Sequence, residues 1–296
     1  MMNNNELYVV TGVTGNTGSV VANTLLKAGK RVRVVIRDAA KGNIWAGLGA
    51  EVAIADFTDI PALTKALSGA DGAYIISPPK YALDDLFTQA EIIATSFSEA
   101  AMKAKLPKIV ALSSIGADKS SGTGWIAMNR VLEQYLSQTE IPVTFLRPAY
   151  FMENWTPMIK SITQGKLNSF LTPAGRKIPM ISTQDVGRIA AEALCESWSN
   201  NRVIELEGPT AYSPDCVAIA LTQALGITVG AIAIPEPNWT DALSNAGFSA
   251  PAFDGFVEMT RGLNSGHLAF SDDVMVDRRK GDITLENIIG HILRSS

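Results

Sequence analysis

Along the first half of the chain, short apolar runs alternate with longer stretches of helical period. The runs at residues 6–11, 31–36, 51–55, 72–77, 108–113 and 143–147 are rich in β-branched and apolar residues, several of them almost without interruption. That is the pattern of strands covered on both faces of a parallel sheet. Between the runs the period changes. Val21, Leu25 and Ala28 share one face ahead of Gly29, Leu86, Ala90, Ile93, Ala94, Phe97 and Ala101 form a long stripe, and Met128, Leu132, Tyr135 and Leu136 form a third. Strand and helix alternating at this spacing predict repeated βαβ units, hence an α/β fold built on a doubly wound parallel sheet.

After Pro148 the regularity weakens. Aromatic residues and Gly/Pro punctuation increase through Tyr150-Phe151-Met152-Glu153-Asn154-Trp155 and Thr172-Pro173-Ala174-Gly175, and the elements become isolated. Residues 1–150 therefore form one expected unit, and residues 151–296 a smaller α/β lobe, interleaved with the cleft and free to return to the sheet. Residues 216–235 carry no charge and are long enough to cross a bilayer. Thr222, Gln223, Gly226 and Thr228 interrupt them, however, and Ser213-Pro214-Asp215 reads as a helix cap with Pro in the first turn. A short helix ended by Gly226 and a strand over 230–234 follow. Leu285, Ile288, Ile289 and Ile292 predict a closing helix, and Arg278-Arg279-Lys280 reads as a solvated turn beside Asp272-Asp273.

Composition narrows the function classes. With 47% hydrophobic and 18% charged residues the chain is globular, and 25 Lys+Arg against 29 Asp+Glu leave a net charge of -4. No overall positive field exists to hold nucleic acid or an anionic membrane, so neither is an expected partner. Two cysteines and two histidines support neither a disulfide framework nor a metal cluster, so no metal is expected, and Cys195 and Cys216 read as buried, reduced thiols. The first residues lack a basic start and an apolar stretch, which reads as a cytoplasmic protein without a signal peptide.

The sharpest chemical feature is Thr11-Gly12-Val13-Thr14-Gly15-Asn16-Thr17-Gly18, between the first strand and the first helix. Gly12 permits a tight turn, Gly15 lets backbone approach a pyrophosphate, and Gly18 lets helix and strand pack closely. Thr14, Asn16 and Thr17 complete a loop whose helix N-terminus offers free N–H groups to phosphate. The bland alternative is a glycine-rich turn that only lets elements pack. At the end of the second strand, Arg37 comes first, with Lys41 one turn on, and this favours NADP(H) over NAD(H). Asp38 either caps the following helix or serves as an NAD-type acceptor.

These segments, with Val34-Val35-Ile36-Arg37-Asp38, Ala55-Asp56-Phe57, residues 109–114, Ile181-Ser182-Thr183-Gln184-Asp185-Val186 and above all Arg147-Pro148-Ala149-Tyr150-Phe151-Met152-Glu153-Asn154, resemble the NmrA-like branch of atypical short-chain dehydrogenases/reductases. The resemblance runs essentially end to end. It implies a Rossmann domain, a small C-terminal substrate domain and NADP(H) in the cleft between them. It also implies Asp56 and Phe57 near the adenine, Ser77-Pro78-Pro79 and Ser113-Ser114 near ribose and nicotinamide, and Pro148, Tyr150 and Phe151 beside the nicotinamide. Asp56 capping a helix and Ser113-Ser114 merely ending a strand stand as alternatives.

The catalytic positions depart from the classical pattern. Tyr-x-x-x-Lys uses Lys to lower the Tyr pKa for proton transfer, yet no Tyr here has Lys four residues later, and Trp125-Ile126-Ala127-Met128-Asn129 occupies that spacing. The Lys that many NmrA-like enzymes keep becomes Asn129, or Arg130 if the register slips by one. Asn129 and Ser113 are thus expected to position rather than to donate a proton. The favoured function is an NAD(P)H-dependent oxidoreductase of quinone- or azo-reductase type, passing hydride to a small planar quinone, azo or dye-like acceptor in a cleft lined by Tyr150, Phe151, Trp155 and Trp125. The alternative is an NADP(H)-sensing regulatory protein with little or no turnover. A sugar-nucleotide epimerase or dehydratase is disfavoured by the missing Tyr and Lys, and a homodimer stays open.

Overall fold

Apolar runs with few polar interruptions become strands here because helices cover both faces of the sheet they join. A computed structural model describes residues 5–162, 164–272 and 275–294. In chain order the first half runs β1 (Leu7–Val10), α1 (Asn16–Lys27), β2 (Arg31–Ile36), α2 (Asn43–Gly47), β3 (Glu51–Ile54), α3 (Ile60–Leu67), β4 (Gly72–Ile75), α4 (Leu86–Ala104), β5 (Ile109–Leu112), α5 (Ile126–Ser137) and β6 (Val143–Pro148). Then follow β7 (Tyr150–Phe151), α6 (Thr156–Lys160), β8 (Lys166–Ser169), β9 (Ile178–Ile181), α7 (Thr183–Cys195), β10 (Arg202–Glu207), β11 (Ala211–Tyr212), α8 (Pro214–Leu225), β12 (Gly230–Ala233), α9 (Trp239–Ala242), α10 (Ala250–Ser265), β13 (Asp277–Lys280) and α11 (Leu285–Arg294).

The large sheet has the order β13-β10-β6-β5-β4-β1-β2-β3, and every pairing in it is parallel. The order reverses between β1 and β4, the switch point at which open α/β sheets leave a crevice beyond their carboxyl ends. The apolar side chains of α1 and α7 cover one face, and those of α3, α4 and α5 cover the other. This is the Rossmann-type α/β fold. A third apolar cluster, holding Trp155, Met180, Leu221, Leu263 and Ile289, fills the lobe assembled from two small sheets, β11-β9-β7 and β12-β8, with α8, α10 and α11. Among the described residues no helix is long and apolar enough to cross a membrane.

The uncharged stretch folds as its punctuation predicts. Ser213 caps α8 by accepting from the Cys216 amide at 3.2 Å, Gly226 ends the helix in the left-handed conformation, and β12 follows. Two expectations are corrected. Arg278-Arg279-Lys280 is not a turn but part of the edge strand β13, because its charges meet Glu205, Glu196 and Glu207 from distant parts of the chain; Asp273 beside it lies outside the described residues. Cys195 is exposed, since it ends α7 where the helix reaches the surface, while Cys216 is half-buried and both thiols are free.

Candidate functional site

Because the eight strands run parallel, the residues just beyond them gather along one edge. The glycine loop lies beyond β1. Gly12 has a φ of +67°, and a Cβ there would come within 2.0 Å of Ile76 Cδ1. At Gly18 a Cβ would fall 2.4 Å from the Gly12 carbonyl oxygen and 2.6 Å from that of Thr11. Both glycines are required by packing. Gly15 differs, for its φ of -103° suits any residue and a Cβ would meet nothing nearer than 3.4 Å. It is the N-cap of α1, supplies no side chain to the orphan amides, and is exposed together with Thr14 and Asn16. The backbone in front of the helix dipole is therefore open to an anion, and a side chain at Gly15 would fill that approach. Thr17 instead faces inward, its hydroxyl accepting from the buried Tyr74 phenol at 2.9 Å.

Beyond β2, Arg37 and Lys41 are exposed. Asp38 is engaged as a cap, its Oδ1 accepting from the Ala40 amide at 3.0 Å. Asp56, beyond β3, closes a turn by accepting from the Thr58 amide and hydroxyl at 2.9 and 2.7 Å. Those bonds, with Arg37 and Lys80 nearby, hold its carboxyl below the usual range. The helix that follows is capped by Asp59 instead. Phe57 packs on Phe97, ring centroids 5.0 Å apart. Three strand spacings, about 14 Å, separate β2 from β5, so the edge presents two distinct ends.

At the second end, Ser77 and Pro78 follow β4, half-buried. Ser113 follows β5 and is 3% exposed. Its hydroxyl donates to Glu133 Oε1 at 2.5 Å, and Glu133 in turn accepts from Arg147 Nε at 2.9 Å and Nη2 at 2.6 Å. With its proton committed, Ser113 can offer only lone pairs to a ligand. Asn129 lies one helical turn before Glu133 on the same face of α5, which brings it toward the end of β5. Its amide has no hydrogen-bond partner among the described residues. Arg130 is engaged elsewhere, donating to the Lys119 carbonyl.

Pro148 ends β6 and accepts from the Ile115 amide at 3.0 Å. Tyr150 and Phe151 form β7, paired to Met180 and Ile181 of β9. Burial pushes the Tyr150 phenol well above its usual pKa, against a smaller opposing effect of Asn154, so it stays a neutral hydrogen-bond donor. Next to Ile115 and Tyr150 opens a cavity of about 340 Å³. A wider hollow of about 600 Å³ near Trp239 and Arg261 touches no strand end of the large sheet.

The expected aromatic lining is only partly realised. Trp155 is 1% exposed and belongs to the core of the lobe, because its ring packs edge-on to Tyr150 from beneath. Trp125 joins a cluster that sequence order conceals: it stacks on Tyr81 at 4.0 Å, meets Phe248 and Phe256, and donates from Nε1 to the Ala252 carbonyl at 2.7 Å. Ser249 also donates to the Leu83 carbonyl at 2.8 Å. α10 is thereby strapped across the loops after β4 and β5.

Residues 4–267 match the model of the NmrA-like family. An NAD(P)H azoreductase of Xenophilus azovorans is 28% identical over 257 residues, covering 86% of this chain and 86% of its own. Quinone oxidoreductase 2 of Escherichia coli (strain K12) is 27% identical over 288 residues, 96% of this chain and 94% of its own. The structure of the Escherichia coli NADPH-dependent quinone oxidoreductase with NADPH superposes with a TM-score of 0.79 at 26% identity, covering 97% and 99% of the two chains. The triphenylmethane reductase of Citrobacter sp. superposes with a TM-score of 0.81 at 22% identity over 98% and 99%, a likeness of fold.

Proposed function

The chain belongs to the NmrA-like family, and on that premise we propose that it is an NAD(P)H-dependent oxidoreductase whose acceptor is a planar quinone, azo or dye-like electrophile. The names of two relatives, an NAD(P)H azoreductase and a quinone oxidoreductase, support the acceptor class. The observation that carries the reading is the glycine loop, in which Gly12 and Gly18 answer to packing while Gly15 keeps an exposed helix N-terminus open to phosphate. Residues 1–150, joined by α7, β10 and β13 on their return to the sheet, are the nucleotide-binding part, and the remainder of residues 151–296 is the acceptor lobe. NADP(H) is the favoured cofactor, since Arg37 stands exposed at the end of β2 while Asp38 is already engaged as a cap.

When bound, the dihydronicotinamide supplies a hydride; quinone, hydride and one proton make the hydroquinone and leave the oxidised cofactor. The chain's own residues bind and orient. The exposed backbone of Thr14 to Asn16, shaped by Gly12 and Gly18, would hold the pyrophosphate, Arg37 and Lys41 the 2′-phosphate, and Asp56 and Phe57 the adenine side. Ser77, Pro78, Pro148 and Phe151 border the ribose and nicotinamide. Ser113 accepts one hydrogen bond from the nicotinamide half, and Asn129 can donate or accept a second. Tyr150 offers its neutral hydroxyl to an acceptor oxygen. With no Tyr-x-x-x-Lys pair, the proton comes from solvent, which suits acceptors that delocalise the incoming electron pair.

Calorimetry with NADPH and NADH, followed by anaerobic cofactor consumption with a panel of quinones and azo dyes, tests the reading. The expected result is tighter NADPH binding and turnover with at least one acceptor. Tight binding without consumption for every acceptor would overturn it in favour of an NADP(H)-sensing protein.

A further inference from the structure

The rim of the cavity beside Tyr150 carries charge that hydride transfer does not require. The floor is apolar, formed by Ile178, Leu263, Leu268 and Phe270, and the rim bears Arg176, Lys177, Arg278 and Asp272. These charges are neutralised to different degrees. Arg278 sits over Phe270, its Cζ 4.5 Å from the ring centroid, and pairs with the buried Glu205 carboxylate at 2.8 Å, so that pair adds little net field. Arg176 donates to the backbone carbonyl of Asn264, which fixes the guanidinium without cancelling its charge. Its tip is close to Gly266, itself on the cavity wall, for a Cβ there would fall 2.7 Å from an Arg176 guanidinium nitrogen. Lys177 is exposed with no ionic partner among the described residues. Among the described lining residues, one exposed carboxylate, Asp272, stands against these two cations. The described lining residues thus leave a positive excess over an apolar floor, in a protein of net charge -4, and low-dielectric walls focus such a charge into the cavity.

We infer that this cavity selects, among planar acceptors, those carrying an acidic substituent such as a sulfonate or carboxylate. The aromatic ring lies on the apolar floor, with its reducible part toward Tyr150 and Ile115, and the anion lies at Arg176 and Lys177. A cavity of about 340 Å³ takes a one- or two-ring molecule of this kind. The inference rests on the proposed reductase function for the identity of the ligand, but not for the presence of the anion site.

Naphthalene-2-sulfonate and 2-naphthol share a ring system, differ in charge and accept no hydride, so their binding to the full chain is readable by calorimetry without turnover. The sulfonate should bind roughly tenfold more tightly, with an advantage that shrinks as salt rises. Lys177→Glu should cut the sulfonate-to-naphthol ratio about fivefold, and Asp272→Asn should raise it about twofold. Opposite shifts from two exposed positions are not what loss of folding would produce. Equal affinity for the two ligands, or a ratio unmoved by both substitutions, would overturn the inference. In parallel, NADPH consumption is compared for 1,2-naphthoquinone-4-sulfonate and 1,2-naphthoquinone, in the native chain and in Lys177→Glu, so that a preference is counted only where the substitution reduces it. A preference for the sulfonated quinone supports both readings. Selective sulfonate binding with neither quinone reduced would overturn the reductase function and leave the anion site standing.

Discussion

At the glycine-loop end of the cleft, shape is set by backbone. Gly12 and Gly18 are fixed by close approach to Ile76 and to the carbonyls of Thr11 and Gly12, and the exposed positions Thr14 to Asn16 present main chain. At the Tyr150 end, shape is set by side chains brought from far apart in sequence: Ser113 bound to Glu133, Glu133 to Arg147, Trp125 stacked on Tyr81 beneath α10. Backbone geometry with glycine at fixed spacing tolerates little change, whereas a side-chain assembly can exchange members. An end built from exchangeable parts is where, on the proposed function, Asn129 would stand in place of a lysine while the fold persists and where acceptor choice would be set.

The largest test of this contrast concerns the buried pair. Glu133→Ala leaves Arg147 only the more distant Asp118 carboxylate at 3.8 Å and frees the Ser113 proton, so unfolding by urea should show a loss of about 3 kcal/mol. A loss below 1 kcal/mol would mean that the Tyr150 end is not held by this network. Gly18→Ala comes next, at about 1–3 kcal/mol, since its Cβ would press on backbone oxygens. Gly15→Ala separates packing from binding: stability should stay within about 0.5 kcal/mol while NADPH affinity falls about tenfold or more. Equal behaviour of the two alanine variants would erase the distinction drawn between these glycines. Arg37→Ala should raise the NADPH dissociation constant at least tenfold, about 1.5–3 kcal/mol for a charge-assisted contact, with a much smaller effect on NADH.

The smallest effect lies away from both ends, where Glu196 meets Arg279 at 2.6 Å and Arg202 at 2.7 Å. Hydrogen bonds from Arg279, then from Arg202, hold its carboxyl below the usual range against the opposing effect of burial. A carboxyl lowered in the folded state stabilises above its ordinary pKa and loses that contribution as pH falls through the folded value. The side chain is 35% exposed, so solvent screening keeps the effect under about 1 kcal/mol. Melting temperature followed from neutral pH down into the acid range should fall less steeply in Arg279→Gln than in the native chain, with cofactor affinity at neutral pH unaltered.

The parallel sheet and the glycine loop were legible in the sequence because both are local. Period switching marks the βαβ units, and glycine spacing marks a turn that must pass close to backbone. The cap at Ser213 and the stop at Gly226 were legible for the same reason. The return of β10 and β13 to the sheet was harder to read. Asp277-Arg278-Arg279-Lys280 carries the charges of a solvated turn, and what makes it a strand is its set of partners, Glu205 and Glu196, more than seventy residues away. The aromatic cluster is hidden likewise, since Trp125 and Phe256 share no local pattern, and Trp155 reads as a cleft residue although Tyr150 packs against its ring. Cys195 reads as buried because a free cysteine generally behaves as a small hydrophobe, whereas its place at the end of α7 exposes it.

On the proposed function, this cleft passes a hydride to a planar acceptor without a protein acid. A single-turnover reaction tests this most directly: enzyme loaded with one equivalent of NADPH carrying deuterium at the transferable position is mixed anaerobically with a quinone. One hydroquinone should form per NADPH consumed, more slowly with the deuterated cofactor, and at a rate that does not follow the titration of any side chain near neutral pH. Stable NADPH in the presence of every quinone tried, or a rate governed by one ionising side chain, would contradict it.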